Sequence, residues 1–139
     1  MSSKPILCLD FDGVVHSYTS PWRAADIIPD PPTPGLVEFL DIAIEVFDVH
    51  IFSSRSHQTG AYQTGIQAMQ DFIWDALYRY FFDKYGVDRF DRARTIRDAL
   101  HYPTEKPPAL VTLDDRAITF TGTWPDVDEL RKFKPWNRK

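Results

Sequence analysis

The sequence predicts one α/β domain, a three-layer sandwich built on a mainly parallel, Rossmann-like sheet. Three observations carry that expectation. Short apolar runs alternate with helical patterns along the chain, which is the signature of strands joined by crossover helices. The first run, Ile6-Leu7-Cys8-Leu9, is apolar at every position, as in a strand buried on both faces. With 139 residues the chain suits a single domain over positions 1–139.

The elements follow in order. Pro5 precedes the first strand, and Asp10-Phe11-Asp12-Gly13 ends it, with Gly13 permitting a sharp turn. Val14 to Trp22 reads as a small hairpin or flap, and Pro29, Pro31, Pro32 and Pro34 form a stiff connector. A helix then starts near Gly35, with Leu36, Phe39, Leu40 and Ala43 on one face. Val46 to Phe52 reads as the second strand, closed by Ser53-Ser54-Arg55-Ser56. A long helix is expected from Ile66 to Tyr85, stopped by Gly86, and a charged helical stretch from Val87 to Tyr102. Leu110 to Leu113 gives a third core strand ending at Asp114-Asp115. Ala117 to Phe120 reads as a further short strand and Asp126 to Phe133 as a last helix.

Composition narrows the function classes. Net charge is -4, which does not suit a dedicated nucleic-acid coat. The single cysteine, Cys8, excludes an intramolecular disulfide and a cysteine-based zinc cluster, and its place on the apolar strand reads as core. No apolar run approaches the roughly 20 residues of a membrane span, and the N-terminal segment does not resemble a cleavable signal. A soluble, cytoplasmic protein with no membrane partner is expected. His16, His50, His57 and His101 lack metal-ligand spacing and read as surface or core residues; His57 also lies close enough to the second strand to touch a substrate.

In parallel sheets ligands bind beyond the carboxyl ends of the strands. Here those ends carry Asp10 and Asp12, Ser53 and Arg55, and Asp114 and Asp115. Four carboxylates brought together repel one another unless a cation intervenes, and hard oxygen ligands of this kind suit Mg²⁺. A bare D-x-D is a weak signal, and Asp126-Val127-Asp128 is a second copy. That copy opens a helix, where acids complement the helix dipole. Only Asp10 and Asp12 close a buried strand.

Leu9-Asp10-Phe11-Asp12-Gly13-Val14 resembles the first motif of the haloacid dehalogenase (HAD) superfamily. Ile51-Phe52-Ser53-Ser54-Arg55 is similar to its second motif, Lys106 to the lysine of its third, and Leu113-Asp114-Asp115-Arg116 to its paired-acid fourth. Lys84 competes with Lys106 for the third position. The resemblance spans Asp10 to Asp115 in the family's order, and the details of the Lys106 to Trp124 region resemble small capless members of bacterial or phage origin. It implies a Mg²⁺-dependent phosphatase (a phosphomonoester hydrolase). Asp10 would be the nucleophile that forms an aspartyl-phosphate and Asp12 the general acid and base. Magnesium would be held by Asp10, Asp12 through its backbone carbonyl, and Asp115, with Asp114 direct or one shell out. Ser53 and Lys106 would hold the phosphoryl oxygens, and Ser54 and Arg55 would add substrate contacts.

The intervals between these motifs are filled by scaffold elements, so a full cap domain does not fit. Capless members imply an open site that takes macromolecular ends, including 3' or 5' phosphates of nucleic acid. The alternative is a non-catalytic phosphate- or phosphoprotein-binding module that retains the pocket. A nucleotide-sugar transferase fits poorly, because its D-x-D follows a nucleotide-binding unit and only nine residues precede Asp10, and a receiver domain fails on the order of its acids. The 66–85 helix carries one apolar stripe, Ile66, Met69, Ile73, Leu77, Tyr80 and Phe81, for the core, and a second, Trp74, Tyr78, Phe82 and Tyr85, which suits either an aromatic core or a homodimer surface. Arg131, Lys132, Lys134, Arg138 and Lys139 make a basic C-terminal end, read as a solvated helix end or as a device that steers an anionic substrate.

Overall fold

A computed structural model describes residues 4–136. Strand β1 (Ile6–Leu9) lies at the centre of a three-stranded parallel sheet, between β2 (Asp48–Ile51) and β3 (Val111–Leu113). The register sets Leu7 against Val49 and Val111, and Leu9 against Ile51 and Leu113. A parallel bridge between His50 and His101 carries the pairing one residue beyond β2. The chain is therefore a small α/β fold.

Helix α1 (Leu36–Val46) returns the chain to β2, and α2 (Gly65–Tyr85) with α3 (Phe90–Ala99) returns it towards β3. Thr64 starts α2: its hydroxyl accepts from the Gln67 N–H at 3.1 Å, and the Gln67 side chain accepts from the Thr64 N–H at 3.1 Å. This reciprocal cap stabilises a helix start by about 1 kcal/mol. Leu7, Leu9, Val49 and Ile51, one face of the sheet by their alternation, join Leu40, Met69, Ile73, Leu77 and Ile96 in one apolar cluster. Among the described residues no helix is long and apolar enough to cross a membrane.

Several boundaries differ from expectation. Helix α1 continues through Val46, so β2 begins at Asp48. The flap forms no hairpin; residues 14–30 make an irregular arc touching Pro32 through an isolated bridge at His16. β3 is an edge strand rather than a core strand, with Val111 and Leu113 both more than two-fifths exposed. Ala117 to Phe120 is not a strand, and Ile118 and Phe120 are more than half exposed. An apolar alternation needs a neighbouring strand to become sheet, and among the described residues none lies beyond β3. The charged stretch after Gly86 is a turn of 3₁₀ helix followed by α3, and the last helix, α4, spans only Val127–Arg131.

Met69, Ile73, Leu77 and Phe81 of the long helix are buried as expected. Its second stripe finds part of its packing within the chain, since Tyr78 stacks on Phe90 at 4.8 Å while Phe82 remains about half exposed. Of the basic C-terminal end, Arg138 and Lys139 lie outside the described residues.

Candidate active site

The parallel register brings the strand ends together. Beyond β1 the ladder continues by two bonds, Asp10 N–H to the Leu113 carbonyl at 3.0 Å and Phe52 N–H to the Leu9 carbonyl at 3.1 Å. These hold Asp10 between the segments that carry Ser53 and Asp114. One oxygen each from Asp10, Asp114 and Asp115 can lie within 4.8 Å of one another. The Phe11 N–H donates to Asp10 Oδ1 at 2.9 Å and fixes the orientation of that carboxyl. Burial, with the neighbouring charges of Asp114, Asp115 and Asp12, pushes Asp10 up to about 8. Asp115 is also raised, chiefly by burial, and both its carboxylate oxygens are buried without a hydrogen-bond partner among the described residues.

Gly13 explains how Asp115 fits. The glycine has φ +85°, and a Cβ there would overlap the Asp115 carboxylate. The loop after β1 thus approaches the acid pair through a bare backbone. Asp114 is exposed, and its Oδ1 accepts from the Arg116 N–H at 2.8 Å. Two buried acceptors with no donor, beside an acid whose charge is penalised, form a donor set that fits a hard divalent cation.

Asp12 is held differently. Its Oδ1 meets His16 Nε2 at 2.7 Å and accepts from Arg55 Nε at 2.9 Å. His16 is fully buried and Arg55 is 1% exposed. The Arg55 guanidinium also donates to the carbonyls of Ala24, Ala25 and Ile27 at 2.9–3.1 Å, and lies 4.4 Å from the Trp22 ring centre. Arg55, expected as a substrate contact, is buried and uses its Nε and Nη1 donors inside the protein, bracing Asp12 and the arc over it. His16 carries no such role in the sequence; its signal was the spacing D-x-x-x-H across a glycine turn.

Two pockets open beside Asp10 and share Asp10 and Ser54 in their walls. One, of about 220 Å³, is lined by Asp12, Tyr18, Trp22, Asp115 and Arg116. The other, of about 200 Å³, is lined by Ser53, Lys106, Thr112 and Asp114 together with Cys8 and Phe52. Lys106 therefore reaches the site, whereas Lys84 donates to the Tyr80 hydroxyl at 3.2 Å at the end of α2 and lines neither pocket. Ser53 caps the 3₁₀ turn Ser54–His57: its hydroxyl accepts from the Arg55 N–H at 3.0 Å and donates to Met69 Sδ at 3.7 Å. A thioether is a weak acceptor, so that proton is available to a better one. His57 packs its ring against Phe52 at 5.7 Å and lines neither pocket.

No family model, no curated protein and no solved structure matches the chain.

Proposed function

We propose that the protein is a Mg²⁺-dependent phosphomonoester hydrolase that works through an aspartyl-phosphate on Asp10. The observation that carries the reading is the convergence of Asp10, Asp114 and Asp115 at the ends of parallel strands, with both Asp115 oxygens left unpartnered. The sequence resemblance to capless HAD hydrolases supplies the reaction class and a three-layer, Rossmann-like frame. Asp10, Asp115, the Asp12 backbone carbonyl and Asp114 would hold the ion. Bound Mg²⁺ would offset the crowded negative charge and polarise the phosphoryl group.

The chain's own groups account for the rest. With an ion offsetting its neighbours' charge Asp10 would be ionised; its carboxylate forms a bond to phosphorus as the bond to the leaving oxygen breaks, and Asp12, entering the step as the protonated acid, gives that oxygen its proton. Water then attacks the aspartyl-phosphate, Asp12 takes the proton back, and inorganic phosphate leaves with Asp10 restored. His16 and Arg55 keep the Asp12 carboxyl in one orientation through both halves. Lys106 and the Ser53 hydroxyl neutralise and bind phosphoryl oxygens from the opposite pocket. The open pockets suit a phosphate at the end of a larger molecule.

The test is hydrolysis of an aryl phosphate with Mg²⁺ and with chelator, for wild type and Asp10→Asn. The expected result is metal-dependent turnover that the substitution abolishes. Turnover that survives in Asp10→Asn, or that ignores the chelator, overturns the assignment.

A further inference from the structure

The two pockets beside Asp10 have different walls, and under the phosphatase reading, on which this inference rests, they have different duties. Lys106, Ser53 and Asp114 line the phosphoryl side. The pocket that contains Asp12 must receive the leaving group, because the acid that protonates the departing oxygen stands on that side. Its other walls are Asp10 and Asp115, from the acid cluster, Ser54, which both pockets share, and Tyr18, Trp22 and Arg116, which line this pocket and not the other. Hydrolysis of a phosphate needs neither two aromatic rings nor an arginine there, so these residues bear on what is attached to the phosphate.

Trp22 is 41% exposed, with the Arg55 guanidinium against its ring at 4.4 Å. Arg55 is itself tied to three backbone carbonyls, so the indole is oriented before any ligand arrives. Arg116 lies 5.9 Å over the Tyr18 ring, is exposed, and enters no salt bridge among those between described residues. A pre-oriented ring suits a planar, aromatic partner, and an exposed guanidinium beside it suits a second anion. At about 220 Å³ the pocket has the footprint of one such unit, not of a long polymer.

We propose that this pocket binds the nucleoside part of a nucleotide phosphomonoester, with the base against Trp22 and Tyr18 and a second phosphate on Arg116. A free nucleoside bisphosphate and the phosphorylated end of an oligonucleotide share that chemistry.

The experiment compares kcat/KM, with Mg²⁺, for glycerol phosphate, a nucleoside monophosphate, a nucleoside 3',5'-bisphosphate, a phosphorylated dinucleotide and a phosphotyrosyl peptide. The nucleoside monophosphate is expected to exceed glycerol phosphate about tenfold, the scale of one base stacked on an aromatic ring. That ratio should collapse in Trp22→Leu and persist in Trp22→Phe; if Trp22→Leu does not fold, Tyr18→Leu takes its place. Arg116→Gln should remove the further gain, about fivefold, that a second phosphate brings. Whether the bisphosphate or the dinucleotide gains more separates the two sources. Equal rates for nucleotide and glycerol phosphate, a preference untouched in Trp22→Leu, or a preference for the phosphotyrosyl peptide overturns the proposal.

The same nucleotide is titrated against Asp10→Asn by tryptophan fluorescence. Binding that depends on Trp22 without turnover of any ester by wild type sinks the catalytic reading and leaves this pocket assigned. Neither binding nor turnover sinks both.

Discussion

His16 Nε2 sits 2.7 Å from Asp12 Oδ1, four residues back along the chain, in a site where the histidine is entirely buried. The contact crosses the turn at Gly13, whose N–H donates to the His16 carbonyl at 2.9 Å. Ring and carboxyl are thus locked by the same turn. A histidine in this position acts through Asp12, not on the substrate. His16→Ala should lower kcat by about tenfold to a hundredfold with little change in KM, the size of effect that a displaced reacting group produces. His16→Gln, which keeps a donor, should recover part of it. A loss expressed mainly in KM would assign His16 to binding instead.

Arg55 should matter more to stability than to binding. Removing the guanidinium would leave the Asp12 carboxyl and three backbone carbonyls without their donor, and each buried polar group left unsatisfied costs about 1–3 kcal/mol. Arg55→Met should shift the urea midpoint sharply downwards, and Arg55→Lys should do so too, because one ammonium cannot span the same acceptors.

The acid cluster makes the metal-free protein sensitive to pH. The Asp10 carboxyl is raised in the folded state to about 8 from 3.8, so the folded form holds a proton that the unfolded chain releases. That contribution to stability is fully present below pH about 4 and is lost as pH rises through about 8. In EDTA, the melting temperature of wild type should fall across this interval more than that of Asp10→Asn. Mg²⁺ should cancel the difference at the alkaline end.

Asp115 should be the strongest single determinant of ion binding. Its two oxygens are buried and, among the described residues, paired with no donor. Asp115→Asn should abolish the rise in melting temperature that Mg²⁺ gives wild type, and Asp114→Asn should reduce it. Gly13→Ala should mimic the loss at Asp115, because its methyl group takes the space of that carboxylate at a φ of +85°.

The two lysines separate cleanly. Lys106→Ala should raise KM for a phosphate ester by about tenfold, the effect of one lost charged contact to an anion. Lys84→Ala should leave both constants as they are, since its ammonium is engaged with Tyr80 away from the pockets. Circular dichroism and kinetics on the pair suffice to check this.

Much of the frame was legible because strand β1 is apolar at each position and its neighbours end in chemically distinctive residues. A parallel register then aligns Asp10, Ser53 and Asp114 without further information. The roles of His16 and Arg55 were not legible, because each depends on a long-range fact: that residues 14–30 fold back over the sheet end. Sequence showed a charge beside a serine; only the fold shows that its hydrogen bonds are consumed by Ala24, Ala25 and Ile27. Ala117 to Phe120 misled for the converse reason. Its local pattern suits a strand, but pairing is decided by a neighbour that the fold does not place there.

The arc over the pockets is anchored twice. Arg55 grips it at Ala24, Ala25 and Ile27, and Asp26 accepts from the Tyr62 and Gln63 N–H groups at 2.9 and 3.3 Å, while within the arc Asp30 accepts from the backbone and hydroxyl groups of both Thr19 and Ser20. Such a segment behaves as a parapet rather than a door. Turnover would then have no opening and closing step of its own, and solvent would be driven from the reacting atoms by the bulk of the guest molecule. Small esters should consequently leave a wetter, slower site than large ones, and selectivity would be altered by exchanging side chains on the rim rather than by loosening its backbone.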